Sequence, residues 1–68
     1  MNMTIEDLSF TLRRRREELG LTQVELSERS GVHLRSINNL ESGKGNPSFE
    51  TLNKLAEELK LEIIVRQR

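Results

Sequence analysis

Apolar positions along the chain fall into four stretches of helical spacing and one closing stretch of strand spacing. Leu8, Leu12 and Leu19 recur on one face of a segment predicted to be helical from about Ile5 to Leu19, with Thr4 as its cap and Gly20 as its stop. The next start signal is more complete. Thr22 is a predicted N-cap, Glu25 three residues on closes a capping box, and Leu21 before the cap staples onto Leu26. This predicts a helix from Gln23 to about Ser30, ended by Gly31 where a left-handed residue is wanted. Only Val32 and His33 separate Gly31 from a third helical run, Leu34 to Ser42. Two short helices joined by a Gly-containing tight turn make a helix-turn-helix unit.

At about 100° per residue, Ile37 and Leu40 of the third helix share one direction, while Arg35, Asn39 and Ser42 occupy the other with Asn38 on its flank. The stretch Gly43-Lys44-Gly45-Asn46-Pro47 is the only loop of substance. After it, Ser48 is predicted to cap a fourth helix whose buried stripe is Phe49, Leu52, Leu55, Ala56 and Leu59. The tail changes character. Three consecutive β-branched residues disfavour helix, and alternation puts Leu61, Ile63 and Val65 on one side, which predicts a strand. The expected architecture is mainly α: one domain over residues 1–68, with four helices, a helix-turn-helix and a short β-strand tail over residues 60–68.

Charge does not point to any partner, because eleven bases balance eleven acids. Residues 1–20, 21–47 and 48–68 carry four, three and four charges of each sign, so no segment is a polybasic arm. Any positive surface has to come from how folding sorts the charges. The absence of cysteine excludes disulfides and thiolate metal sites, and a lone His33 has no second ligand to share an ion. No metal or other cofactor is expected. One His, one Asp and no Cys leave no catalytic constellation, and Gly43-Lys44-Gly45 lacks the length and preceding strand of a phosphate loop. An enzyme is therefore not expected. No apolar run is long enough to span a membrane, and the first residues carry acids where a signal peptide carries bases, so a cytoplasmic protein is expected.

The stretch Arg16-Glu-Glu-Leu-Gly-Leu-Thr-Gln-Val-Glu-Leu-Ser-Glu-Arg-Ser-Gly-Val, continued by Ile37-Asn-Asn-Leu-Glu-Ser-Gly-Lys and Asn46-Pro-Ser-Phe-Glu-Thr-Leu-Asn-Lys-Leu-Ala, resembles the Xre/Cro family of phage-repressor-like regulators over about residues 8–61. The resemblance implies a lambda-repressor-like fold and binding to double-stranded DNA at a roughly palindromic operator. It places Gln23 against a phosphate, His33, Leu34 and Arg35 near base edges or backbone, and Asn38 and Asn39 at further base contacts. It also pairs Arg16 with Glu41 as a structural link. Ser27 stands where the family usually has Ala, adding a hydroxyl to satisfy, and His33 stands where a Ser or Thr cap is usual. The tail Leu-Lys-Leu-Glu-Ile-Ile-Val resembles the C-terminal strand of the HipB-like antitoxin branch, which implies a homodimer and a HipA-like toxin as a further partner. A regulator without a toxin, or an interaction module that has lost DNA binding, are the other readings.

The residues agree with the resemblance. Arg makes bidentate contacts to guanine and Asn to adenine, which suits Arg35 and Asn39 to the major groove. Ser42 shares their side, and Lys44 lies in the loop beside which a duplex backbone would pass. Leu34 either touches a thymine methyl or packs on the preceding helix. The run Arg13-Arg14-Arg15-Arg16 is flanked by Glu6, Asp7, Glu17 and Glu18 and reads mostly as a self-paired solvated face. A lone strand leaves its ladder groups unpaired, so the tail is expected to pair with its own copy across a two-fold axis. With the axis at Ile64, Ile63 faces Val65, Glu62 lies opposite Arg66, and Leu61, Ile63 and Val65 of both chains form one apolar face.

Overall fold

The computed structural model describes residues 3–67; Met1, Asn2 and Arg68, the last residue of the expected tail, lie outside the described residues. Four helices follow in order: α1 (Ile5–Glu18), α2 (Gln23–Ser30), α3 (Leu34–Glu41) and α4 (Phe49–Leu59). Local chemistry sets these limits. Thr4 and Thr22 each close a capping box, with Asp7 and Glu25 respectively, and Ser48 accepts from the Thr51 N–H at 3.1 Å. Gly31 ends α2 at φ 77°, a left-handed conformation that a Cβ would strain, and Gly20 turns the chain out of α1 at φ 70°. Ser42, expected inside the third helix, is its C-cap.

α1 and α2 each pack against both α3 and α4. The cluster they enclose is Leu12, Leu21, Leu26, Val32, Ile37, Leu40, Leu55 and Leu59, with Ile5, Leu8, Leu19, Leu52 and Leu61 packed on its edge. Leu26, Ile37, Leu55 and Leu59 are fully enclosed. The staple residues Leu21 and Leu26 both belong to this cluster. Where helix backbones approach, polar groups are matched. The Ser27 hydroxyl donates to the Val32 carbonyl at 2.6 Å, and the buried Ser9 hydroxyl lies between the carbonyls of Leu40 and Ile5. Among the described residues, no buried side-chain nitrogen or oxygen lacks a partner.

One expectation fails, and a second is not met within a single chain. Phe49 was placed in the buried stripe of α4 but is 66% exposed. Its azimuth matches that of Ala56, yet it is the first helical residue, and Ser48, Phe49 and Glu50 are all exposed because the helix begins beyond the layer that covers it. The tail forms no strand among the described residues. A strand needs a ladder partner, and this chain has no second β-type segment to supply one. Lys60 instead turns out of α4 in a left-handed conformation (φ 56°), the Leu61 N–H donates back to the Ala56 carbonyl at 2.9 Å, and residues 62–67 run exposed.

The Thr22–Glu25 box carries a prediction. The Thr22 backbone N–H and then its hydroxyl hold the Glu25 carboxyl below its ordinary value. A depressed carboxylate contributes stability above its ordinary range and loses that contribution as pH falls through the depressed value. Thr22→Ala should cost about 1 kcal/mol, which in a domain this small lowers the melting temperature by about 4–8 °C. Glu25→Gln should be destabilising at about pH 7, with the gap to wild type closing towards about pH 3. An equal gap at both would show that the carboxylate does not support the cap.

Candidate nucleic-acid interface

α3 divides cleanly between fold and solvent. Ile37 and Leu40 are 1% and 3% exposed, whereas Leu34, Arg35, Ser36, Asn38, Asn39 and Ser42 are all exposed. Leu34 is 43% exposed at the start of the helix, so part of its side chain packs and part faces solvent. His33 precedes the helix as its N-cap, exposed and without a side-chain capping bond. The short loop returns towards α3: Gly43 adopts φ 79°, and the Lys44 N–H donates to the Asn39 carbonyl at 2.9 Å, which sets exposed Lys44 beside Asn39. The Ser42 hydroxyl donates to the Asn38 carbonyl at 2.8 Å, so its proton is committed to its own helix and its oxygen is left as an acceptor.

The electrostatics of this face follow from one buried pair. Between Glu28 and Glu50 the only acid is Glu41, and its side chain is 5% exposed. Arg16 donates to both of its oxygens, Nε to Oε2 at 2.7 Å and Nη2 to Oε1 at 2.9 Å, and spends Nη1 on the Leu21 carbonyl at 2.7 Å. The hydrogen bonds to Glu41 raise the Arg16 pKa despite desolvation. With Glu41 paired inside, the outward side of α3 and the loop after it keeps Arg35 and Lys44 and carries no acid, although the whole chain has zero net charge.

Gln23 reaches this pair as well. Its Nε2 donates to Glu41 Oε1 at 3.0 Å, and its Oε1 accepts from Asn38 Nδ2 at 3.4 Å. The sequence reading placed Gln23 and Asn38 on the face but did not connect them. It also passed over Ser36, whose position at about 200° from Leu34 puts it on the flank that, with Asn39, Lys44, Asn46, Ser48 and Thr51, lines a polar cleft between α3 and the start of α4. The same angular count would have identified it.

The remaining candidates lie apart from α3. Leu61 is partly buried against the core, while Glu62, Ile63, Ile64, Val65 and Arg66 are exposed, Val65 to 90%. The arginine run splits by role. Arg13 and Arg14 pair with Glu17 and Glu18 at 3.6 and 3.5 Å on the surface, where such pairs contribute little. Arg15 donates to the Leu59 carbonyl at 2.8 Å, capping the end of α4. Among the described residues no cluster of three His, Cys, Asp or Glu converges to hold a metal, and no helix is long and apolar enough to cross a membrane.

This geometry has relatives. A helix-turn-helix family profile matches residues 12–65. A protein of Methanothermobacter thermautotrophicus, described as an uncharacterized HTH-type transcriptional regulator, is 45% identical over 53 residues, covering 78% of this chain and 77% of that one. Among solved structures, the restriction-modification controller protein C.AhdI from Aeromonas hydrophila superposes with a TM-score of 0.81 at 31% identity, over 85% of this chain and 88% of its own. A chain of a HipA-HipB-O2-O3 complex superposes with a TM-score of 0.83 over 98% of this chain and 94% of its own; at 24% identity it shares the fold.

The Arg16–Glu41 pair generates its own prediction. Removing one partner of a buried pair leaves an uncompensated charge and costs about 3–5 kcal/mol, while replacing both with apolar residues of similar size is far milder. Glu41→Ala should leave the domain largely unfolded at room temperature, and Arg16→Met with Glu41→Leu should restore most of the helical signal in circular dichroism. A melting curve for Glu41→Ala that overlays wild type would show that the pair contributes nothing.

Proposed function

The chain belongs to the helix-turn-helix family of Xre-type transcriptional regulators, and from that premise we propose that it is a sequence-specific repressor that binds a roughly palindromic operator as a homodimer. The observation that carries the reading is the division of α3, with Ile37 and Leu40 in the core, Glu41 neutralised by Arg16, and an acid-free polar face outside. In this reading Arg35 and Asn39 contact base edges in the major groove, with Asn38 beside them and Leu34 against a thymine methyl. Gln23, His33, Ser42 and Lys44 face the backbone and set the register. Ser42 contributes there as an acceptor, through water. No catalytic step is involved, and the site of action in this reading is the cytoplasm.

The homodimer is supported by the tail. Ile63, Ile64 and Val65 are exposed apolar residues with unpaired backbone, and antiparallel pairing about Ile64 gives them a ladder, an apolar face with Leu61, and a Glu62–Arg66 charge match. Pairing would convert the tail into the strand it lacks alone and hold two copies of α3 about 34 Å apart, one turn of duplex. Residues up to 59 then read DNA while the tail, 60–68, joins the copies of one domain. A finer assignment is an antitoxin that represses its own operon and binds a HipA-like toxin, a role supported by the HipB-like tail pattern. The 31% identity to a restriction-modification controller favours a second reading, a regulator with no toxin. Growth arrest on expressing a neighbouring gene alone, relieved by co-expressing this chain, separates the two.

Arg35→Ala and Asn39→Ala should each weaken operator binding by about 1–3 kcal/mol. Both should leave the melting temperature nearly unchanged, because neither side chain packs on the core. Lys44→Ala should weaken specific and non-specific DNA alike and reduce the slope of log K against log salt by about 1. Full operator affinity in the Arg35/Asn39 double variant overturns the reading helix. The dimer is tested by Ile64→Lys, which puts two cations opposite each other at the axis at a position 62% exposed in the single chain. Sedimentation should find a folded monomer with weakened operator binding. A stable dimer of this variant would place the interface elsewhere.

A further inference from the structure

The link from Glu41 through Gln23 to Asn38 has a consequence for which base is read. Glu41 is an acceptor only, and Arg16 donates to both of its oxygens. The Gln23 amide group lying 3.0 Å from Glu41 Oε1 must therefore be its NH2, which turns the Gln23 carbonyl oxygen towards Asn38. That oxygen in turn calls for the NH2 of Asn38, found 3.4 Å away. The Glu41 carboxylate thus favours one order of donors and acceptors along two successive amides. Asn38 is otherwise exposed and anchored only by its backbone, so without this constraint its amide would sample both orientations.

We infer that Gln23 is a positioning residue for base readout, holding the Asn38 amide with its carbonyl and one N–H outward as an acceptor–donor pair that selects adenine. One Asn38 N–H is turned towards Gln23; the oxygen and the remaining N–H beside it match the amino group and N7 of adenine in the major groove. Guanine offers acceptors at both places and would leave the Asn38 oxygen facing another acceptor. The second N–H of Gln23 stays available for a phosphate, so the same side chain serves affinity and specificity through different atoms. The inference rests on the DNA-binding reading above and adds the identity of one base and the residue that enforces it.

The test uses the full-length protein and a set of operators with every single base-pair replacement, measured for wild type, Asn38→Ala, Gln23→Met and Gln23→Lys, with circular dichroism melts alongside. Wild type should prefer adenine at one base pair per half-site by about 5- to 150-fold, and Asn38→Ala should flatten that position. Gln23→Met removes the amide. Gln23→Lys keeps a donor for Glu41, so it preserves the buried network, but has no acceptor for Asn38. Both should flatten the same base pair while discrimination at the Arg35 and Asn39 positions persists; non-specific affinity should fall in Gln23→Met and rise in Gln23→Lys. Retention of the full adenine preference by Gln23→Lys, or a loss in Gln23→Met spread evenly over all positions, overturns the inference and leaves Gln23 as a phosphate contact. Absence of any operator preference in wild type would instead refute the DNA-binding reading itself.

Discussion

The bidentate pair between Arg16 and Glu41 is the constraint on which the rest of this molecule depends. Arg16 stands two residues before the end of α1, Glu41 is the last residue of α3, and the third arm of the guanidinium holds the Leu21 carbonyl at the turn into α2. One planar side chain therefore ties α1, the α1–α2 turn and α3, and Gln23 extends the tie to α2. A lysine carries three donors on one nitrogen and lacks the planar fork that spreads them over a carboxylate and a separate carbonyl. The apolar cluster supplies the driving force for collapse, but it is non-directional. The pair specifies how the end of α3 sits relative to the start of α2, the relation a helix-turn-helix unit has to keep.

The same pair resolves the chain's electrical neutrality. Linear counts give equal numbers of acids and bases in every third of the sequence, which argues against a nucleic-acid surface. Folding changes the local sum, since the one acid of α3 and the loop after it is withdrawn and paired while Arg35 and Lys44 stay outside. Four consecutive arginines, the most basic stretch of the sequence, take no part in that surface. Two are self-paired on α1, one caps α4 and one is the core pair.

Much of this was legible in the residues because the information is local. The caps at Thr4 and Ser48, the box at Thr22 and the left-handed glycine at 31 mark element ends through contacts spanning three or four residues, and helix limits lie within a residue of those expected. The two-sided character of α3 follows from angle alone. Phe49 was misplaced because azimuth says nothing about whether a neighbour extends far enough to cover a helix end. The tail forms no strand within a single chain because alternation marks what a segment is suited to pair with, and not that a partner is there. The bond between Arg15 and Leu59, 44 residues apart, and the amide relay from Glu41 to Asn38 have no sequence signature at all. They depend on where helix ends meet.

α3 is eight residues long and begins without a side-chain cap, well below the length at which an isolated helix is stable in water. Its order is borrowed from Ile37, Leu40 and Glu41, three positions turned into the fold. The outward positions carry almost none of that burden, so Leu34, Arg35, Asn39 and Ser42 can change without loss of the fold. Asn38 is the exception. Its amide bonds to Gln23, which in turn bonds to Glu41 of the ion pair that holds the helix, so this outward side chain is linked to the fold's own polar network.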